Sequence, residues 1–181
     1  ASRTVLMTII NAIKTGDVSQ APRLEAMLSR TIQSNKEREM AYVRQATHDA
    51  LTGCKNRRAF DNDVEELLNA HQPFAMALVD IDNFKSINDT WGHLSGDIVL
   101  RNVAREGIQI MQPHNVSVYR YGGEEFAVIF QAEQIAAAFS LLDAWRTAVE
   151  RRVWREENLH VTFSAGLGEW HFEPLEQLVG S

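Results

Sequence analysis

The stretch Tyr119-Arg120-Tyr121-Gly122-Gly123-Glu124-Glu125-Phe126, continued by Ala127-Val128-Ile129-Phe130, decides how the rest of the chain is read. Alternating apolar residues run into a Gly-Gly pair, two carboxylates follow at once, and a β-rich run leads away. Adjacent glycines between strand-like segments predict a tight hairpin, because only glycine takes positive φ without steric cost. The carboxylates then stand at the tip of a rigid β-ribbon. Such a pair suits a metal or acid/base site, and it equally suits an ordinary solvated turn. Partners elsewhere in the chain must decide.

The first partner is Phe74-Ala75-Met76-Ala77-Leu78-Val79-Asp80-Ile81-Asp82, an apolar run ending in acids. Apolar residues in both phases predict a central strand covered on both faces. Period-two geometry puts Asp80 and Asp82 on one face, in line with Met76 and Leu78. Carboxylates closing a buried strand are costly unless a cation compensates, although Asp is also a common turn former. Next comes Asn83-Phe84-Lys85-Ser86-Ile87-Asn88-Asp89-Thr90-Trp91-Gly92-His93, a helix start followed by a turn at Gly92. Lys85 lies one helical turn from the acidic strand end, placed to meet phosphate. Ser95-Gly96-Asp97 introduces an amphipathic helix reaching Met111, where Asp97 also fits as an acid favoured by the helix dipole.

Further along, residues 133–153 predict a helix with Ile135, Phe139, Leu142, Trp145, Val149 and Val153 facing inward, and 160–168 a final strand. Ala59 to Ala70 predicts a short helix buried through Phe60, Val64, Leu67 and Leu68. From its start, the domain therefore reads helix, strand, two helices, hairpin, helix, strand. That order predicts an α+β fold, a largely antiparallel sheet with helices packed on it. Ahead of it, residues 1–15 and Arg23 to His48 are helical. The second has only a thin apolar seam (Leu24, Met27, Leu28, Ile32, Met40, Val43), which suits a paired or coiled-coil arm, or else a solvated linker helix. A domain boundary falls near residues 46–50, giving a helical arm over 1–46 and an α+β domain over 47–181.

The whole chain has 181 residues and a formal net charge of -6. An acidic balance disfavours a nucleic-acid polymer as partner, so phosphate must be met locally, by a divalent metal or a few placed cations. The single cysteine, Cys54, excludes an internal disulfide and fits a reducing compartment. No run approaches the ~20 apolar residues of a membrane span, and the N-terminal apolar run lacks signal-peptide flanks. A soluble, cytoplasmic protein is expected, or the cytoplasmic end of a larger one.

Asp80 and Glu124, brought together in one sheet with a lysine nearby, form the apparatus of metal-assisted phosphoryl or nucleotidyl transfer. The residues also resemble the GGDEF family, the diguanylate cyclases that join two GTP into cyclic di-GMP. The resemblance spans about residues 46–179. It rests on Asp49-Ala50-Leu51-Thr52-Gly53 with Asn56-Arg57-Arg58, on Asp80-Ile81-Asp82-Asn83-Phe84-Lys85 with Ile87-Asn88-Asp89 and Gly92-His93, and on Gly122-Gly123-Glu124-Glu125-Phe126, the GGEEF form of the signature.

That resemblance implies a palm-like fold similar to nucleotidyl cyclases, ferredoxin-like in layout. It implies two Mg²⁺ (Mn²⁺ as a substitute) held by Asp80, the Ile81 carbonyl and Glu124. Glu124 is also implied as the acceptor of the 3′-hydroxyl proton. Phe84 and Lys85 resemble the triphosphate cradle, Asn88 and Asp97 the guanine readers, and His93 a further substrate contact. Gly122 and Gly123 let the nucleotide approach the backbone, and Glu125 supports the site. Two GTP must meet across a two-fold homodimer, which gives the N-terminal helices a role under an upstream sensor domain. A non-catalytic GTP-binding or dimerising GGDEF module is the alternative.

Two departures stand out. Pro113-His114-Asn115-Val116 occupies the place of the family's inhibitory Arg-x-x-Asp, so product inhibition there is not expected. The family also continues into a helix whose Lys and Arg clamp phosphates, whereas this sequence stops at Leu178-Val179-Gly180-Ser181, which puts phosphate binding in doubt.

Overall fold

Phe74–Ile81 is the central strand β1, antiparallel to both of its neighbours. β3 (Glu125–Gln131) lies on one side and β4 (Phe163–Trp170) on the other, with β2 (Ser117–Arg120) beyond β3, in the order β2-β3-β1-β4. The structure, a computed structural model, describes residues 2–16 and 18–172; residues 178–181 lie outside them. Between the strands run α4 (Phe84–Trp91), α5 (His93–Met111) and α6 (Ala138–Glu150), with α3 (Arg57–Asn69) ahead of β1. This is the expected α+β, palm-like and ferredoxin-like arrangement: two helices cross from β1 to a hairpin, and one helix returns to the far edge.

The odd-numbered side chains of β1 (Ala75, Ala77, Val79, Ile81) are fully buried in one cluster with Val99 and Val103 of α5 and Trp145 of α6. On the other face, Phe74 joins Ala59 and Phe60 of α3, Tyr119, Ala127 and Ile129, with Met76 half-buried beside them. This second cover stops short. Leu78 is 42% exposed and Asp80 lies open, so β1 is covered on both faces only near Phe74. The uncovered end of the sheet is the end that carries the carboxylates.

Three local expectations are corrected. The final helix begins as a 3₁₀ turn over Ala132–Ala137, closed by reciprocal hydrogen bonds between Gln131 and Gln134, and becomes α-helical only at Ala138. Leu142, Trp145 and Val149 face inward as expected, joined by Ala138 and Leu141, but Phe139 in the first α-helical turn is 75% exposed, and the helix ends at Glu150, before Val153, which is 92% exposed. In α3, Leu68 is also largely exposed. Lastly, α5 begins at His93 rather than at Ser95, because Gly92 takes φ +88° and turns the chain directly out of α4.

α5 carries a glycine for a packing reason. A Cβ on Gly107 would lie 2.5 Å from Cε2 of Trp145, whose buried indole N–H donates to the Val103 carbonyl at 2.9 Å. Gly107→Ala is therefore expected to destabilise the domain by about 1–3 kcal/mol through overpacking, outweighing the helix-propensity gain. Urea unfolding checks this, and a stabilised variant would contradict it.

Residues 1–46 form a separate unit. Within it α1 (Ser2–Thr15) turns at Gly16 (φ +66°) toward α2 (Ala21–Thr47), and Val5 and Leu24 are buried. Ile32, Met40 and Val43 of α2 are exposed apolar residues. No helix among the described residues is long and apolar enough to cross a membrane.

Candidate active site

The two acidic motifs meet where β1 ends against the hairpin turn. Asp80 stands opposite Glu125 in the β1–β3 register, and the Ile81 N–H donates to the Glu124 carbonyl at 3.2 Å. The turn is closed by the Tyr121 and Gly122 N–H groups, donating to the Glu125 carbonyl at 2.8 and 3.1 Å. Neither glycine takes a left-handed φ, contrary to the reason inferred from sequence. Gly122 lies under the Glu125 side chain instead: a Cβ there would lie 2.4 Å from Glu125 Oε2, so the exposed carboxylate would have to swing aside. Gly123 faces open space, the room a ligand needs to reach the backbone.

Asp82, expected beside Asp80, does something different. Its two carboxylate oxygens accept from Thr162 and Ser164 hydroxyls at 2.7 Å each, and its N–H donates to the Thr162 carbonyl. It ties the end of β1 to β4 and leaves Asp80 as the free acid of the pair. Asp80, the Ile81 carbonyl and Glu124 are hard oxygen donors, few in number. That donor set fits Mg²⁺, which binds through one or two carboxylates and completes its octahedron with water and substrate phosphate. Among the described residues, no group of three or more His, Cys, Asp or Glu could hold a metal ion.

The flanks of the turn are anchored on both faces of the sheet. Tyr119 donates its hydroxyl to Asp63 of α3, and burial with that carboxylate pushes the phenol pKa up. Tyr121 packs edge-on to Phe60 at 5.2 Å and lies under the Arg57 guanidinium at 3.7 Å. Arg57 is thus engaged with Tyr121 and with Asp61. Arg120 points to the opposite face. Its guanidinium donates to the Gly122 and Gly123 carbonyls at 3.3 and 3.0 Å and to both Asp49 oxygens at 3.2 and 3.1 Å.

Asp49 in turn accepts from the Thr52 N–H and hydroxyl at 2.9 and 2.7 Å. Burial raises its pKa, but the two Thr52 bonds and Arg120 outweigh burial and hold the carboxyl below its ordinary value. The Asp49–Lys55 segment then zips onto β2, Lys55 N–H to the Val118 carbonyl and Arg120 N–H to the Lys55 carbonyl. Cys54 within it is buried, which pushes its thiol up to about 11. Arg120 was present in the opening stretch without an assigned role. The available signal was a lone cation in strand phase opposite two tyrosines.

On α4, Phe84 packs on the main core and Asn88 is half-buried, while Lys85 is exposed in the first turn. Asn88 and Phe84 both approach Gly96 of α5, the residue before the half-buried Asp97. His93 opens α5 and is exposed. In the place of the inhibitory motif, a 3₁₀ turn leads to Asn115 (φ +55°) and the buried Val116, with no pair of opposite charges.

Sheet order, crossover helices and an acid-tipped central strand beside an acidic hairpin define a palm-like α+β domain. The chain belongs to the GGDEF domain family: the model described as "Diguanylate cyclase, GGDEF domain" matches residues 46–180. It is 35% identical over 151 residues to diguanylate cyclase VdcA of Vibrio cholerae, covering 80% of this chain and 44% of that protein. The chain thus spans less than half of that curated relative. Among solved structures, the coiled coil and GGDEF domain of DgcB from Caulobacter crescentus, in complex with c-di-GMP, is 31% identical with TM-score 0.68, covering 84% of each chain. The active GGEEF domain of a diguanylate cyclase from Vibrio cholerae is 32% identical with TM-score 0.58, covering 66% of this chain and 78% of that one.

Proposed function

We propose that this domain is a diguanylate cyclase, condensing two GTP into cyclic di-GMP with release of two pyrophosphates. The observation that carries the reading is the junction of β1 with the hairpin, which puts the Asp80 and Glu124 segments side by side. Each 3′-oxygen attacks the α-phosphorus of the other GTP, forming a P–O bond as the bond to pyrophosphate breaks. Asp80, the Ile81 carbonyl and Glu124 hold Mg²⁺, two per site, with Mn²⁺ as a substitute. Bound there, the metal supplies charge for the phosphate oxygens and lowers the pKa of the attacking hydroxyl. Glu124 accepts the 3′-hydroxyl proton.

The other residues bind and orient. Phe84 and Lys85 cradle the triphosphate, Lys85 offsetting charge as pyrophosphate leaves. Asp97 accepts from the guanine N1–H and N2 amino group, and Asn88 both donates and accepts. Adenine offers neither donor, so Asp97 would be left unpaired, which disfavours ATP. His93 contacts substrate, Gly123 leaves room for it, and Glu125, folded over Gly122, supports the turn. Incubation with GTP and Mg²⁺ should yield cyclic di-GMP and pyrophosphate in a 1:2 ratio. No product would sink the reading and favour a non-catalytic GTP-binding module.

One domain holds one GTP, so catalysis needs a second copy related by a two-fold axis. The arm over residues 1–46, with exposed Ile32, Met40 and Val43 along α2, is the proposed dimerising element, set by an upstream sensor. A chain starting at residue 47 should show a rate per subunit that falls steeply on dilution, while the longer chain holds its rate. Equal rates at low concentration would remove the arm from the mechanism.

A further inference from the structure

A glycine sits in the first turn of α5, where helix propensity disfavours it. Gly96 is buried, directly precedes Asp97, and donates its N–H to the Gly92 carbonyl at 3.1 Å. Its φ is not left-handed, so conformational freedom does not explain it. Space does. A Cβ at this position would lie 1.8 Å from Asn88 Oδ1, 2.9 Å from Asn88 Cγ and 3.3 Å from Phe84 Cζ. All three are side-chain atoms of α4, and the worst contact by far is with the Asn88 carboxamide. That carboxamide therefore occupies the volume a side chain on α5 would fill.

We infer that Gly96 is a positioning residue for base recognition. Its missing side chain is the notch that seats the Asn88 carboxamide against α5 beside Asp97, fixing the donor and acceptor pattern the two present to guanine. The inference rests on the proposed cyclase reading, which makes Asn88 and Asp97 the base readers. A methyl group in the notch forces Asn88 out of its rotamer, and because only the end of a flexible side chain must move, the helices stay in place. Fold and recognition should thus respond in opposite directions: alanine suits the helix better than glycine, while the base loses a partner.

The test is calorimetric binding of the non-reacting α,β-methylene analogue of GTP, with Mg²⁺, to the unmodified chain, Gly96→Ala, Asn88→Ala and the double variant. Melting midpoints are recorded for all four. Gly96→Ala is expected to weaken binding about tenfold, the worth of one buried hydrogen bond, with an unchanged or raised midpoint. In turnover the loss should appear in KM, with kcat little changed. In the Asn88→Ala background the same substitution should cost less than about twofold, since nothing remains to be displaced. An equal loss in both backgrounds, a lowered midpoint, or unaltered affinity in Gly96→Ala would overturn the inference. Failure of the unmodified chain to bind the analogue would instead overturn the functional reading beneath it.

Discussion

Glu124→Gln is expected to reduce cyclic di-GMP formation by about 10²–10⁴-fold while leaving the fold intact. The size of the effect follows from the two roles proposed for this carboxylate, ligand to the cation and acceptor of the 3′-hydroxyl proton. Glutamine keeps the shape and removes both the charge and the basicity. The fold is spared because the contact that locks the turn to β1 runs from the Ile81 N–H to the Glu124 backbone carbonyl, which the substitution does not touch. The variant should melt with the parent and, at saturating GTP, show its deficit in kcat. If it kept a tenth or more of the parent rate, Glu124 would not be the catalytic carboxylate, and Asp80 alone would have to supply the site.

Arg120→Ala is the second large effect. It removes four hydrogen bonds, two that hold the Gly122 and Gly123 carbonyls and two that tie the turn to Asp49. The Arg120 and Asp49 side chains are only 20% and 22% exposed, so the pair is not an ordinary surface bridge. A loss of about 2–4 kcal/mol in urea unfolding is expected, because Asp49 would keep a half-buried charge without its cation. Activity should fall as well, by about 10²-fold, since a small displacement of the turn misplaces Glu124. Arg120→Lys should restore little, because an ammonium cannot reach two carbonyls and a carboxylate at once.

The same pair sets a pH dependence. The Asp49 carboxyl titrates below its ordinary value of 3.8 in the folded domain, so its stabilisation is complete above that value. It is lost as pH falls through the lowered folded pKa. The stability gap between parent and Arg120→Ala should accordingly be full at pH 7 and shrink in acid below about pH 4. A gap that does not narrow there would mean that the Arg120 contribution comes from the glycine carbonyls alone.

What could be read from sequence was what repeats along the chain. Period-two and period-three-four patterns identified the strands and helices, and their order already implied a helix-covered antiparallel sheet. The residue types at Asp80, Glu124 and Lys85 pointed to phosphate and metal chemistry. Errors arose where helices began and ended. The Gln131–Gln134 box opened the last helix with a 3₁₀ turn that left Phe139 outside, the helix ended at Glu150 ahead of the exposed Val153, and the φ +88° of Gly92 started α5 early.

Only the tertiary structure decided how those residues are used. Asp80 and Asp82 look equivalent in the sequence, yet Thr162 and Ser164 claim Asp82 for the β4 edge and leave Asp80 free. The two glycines of the signature suggested backbone freedom, whereas neither takes a left-handed φ and the Glu125 carboxylate folds over Gly122. Arg120, Asp49 and Gly96 carried no periodic signal, because their partners lie across the sheet or on a neighbouring helix. A hydrogen bond or a notch between residues distant in the chain depends on packing, and packing leaves little trace in local pattern. The sequence by itself determined the elements and the chemistry available to them; the packing of those elements decided which side chains are free to act.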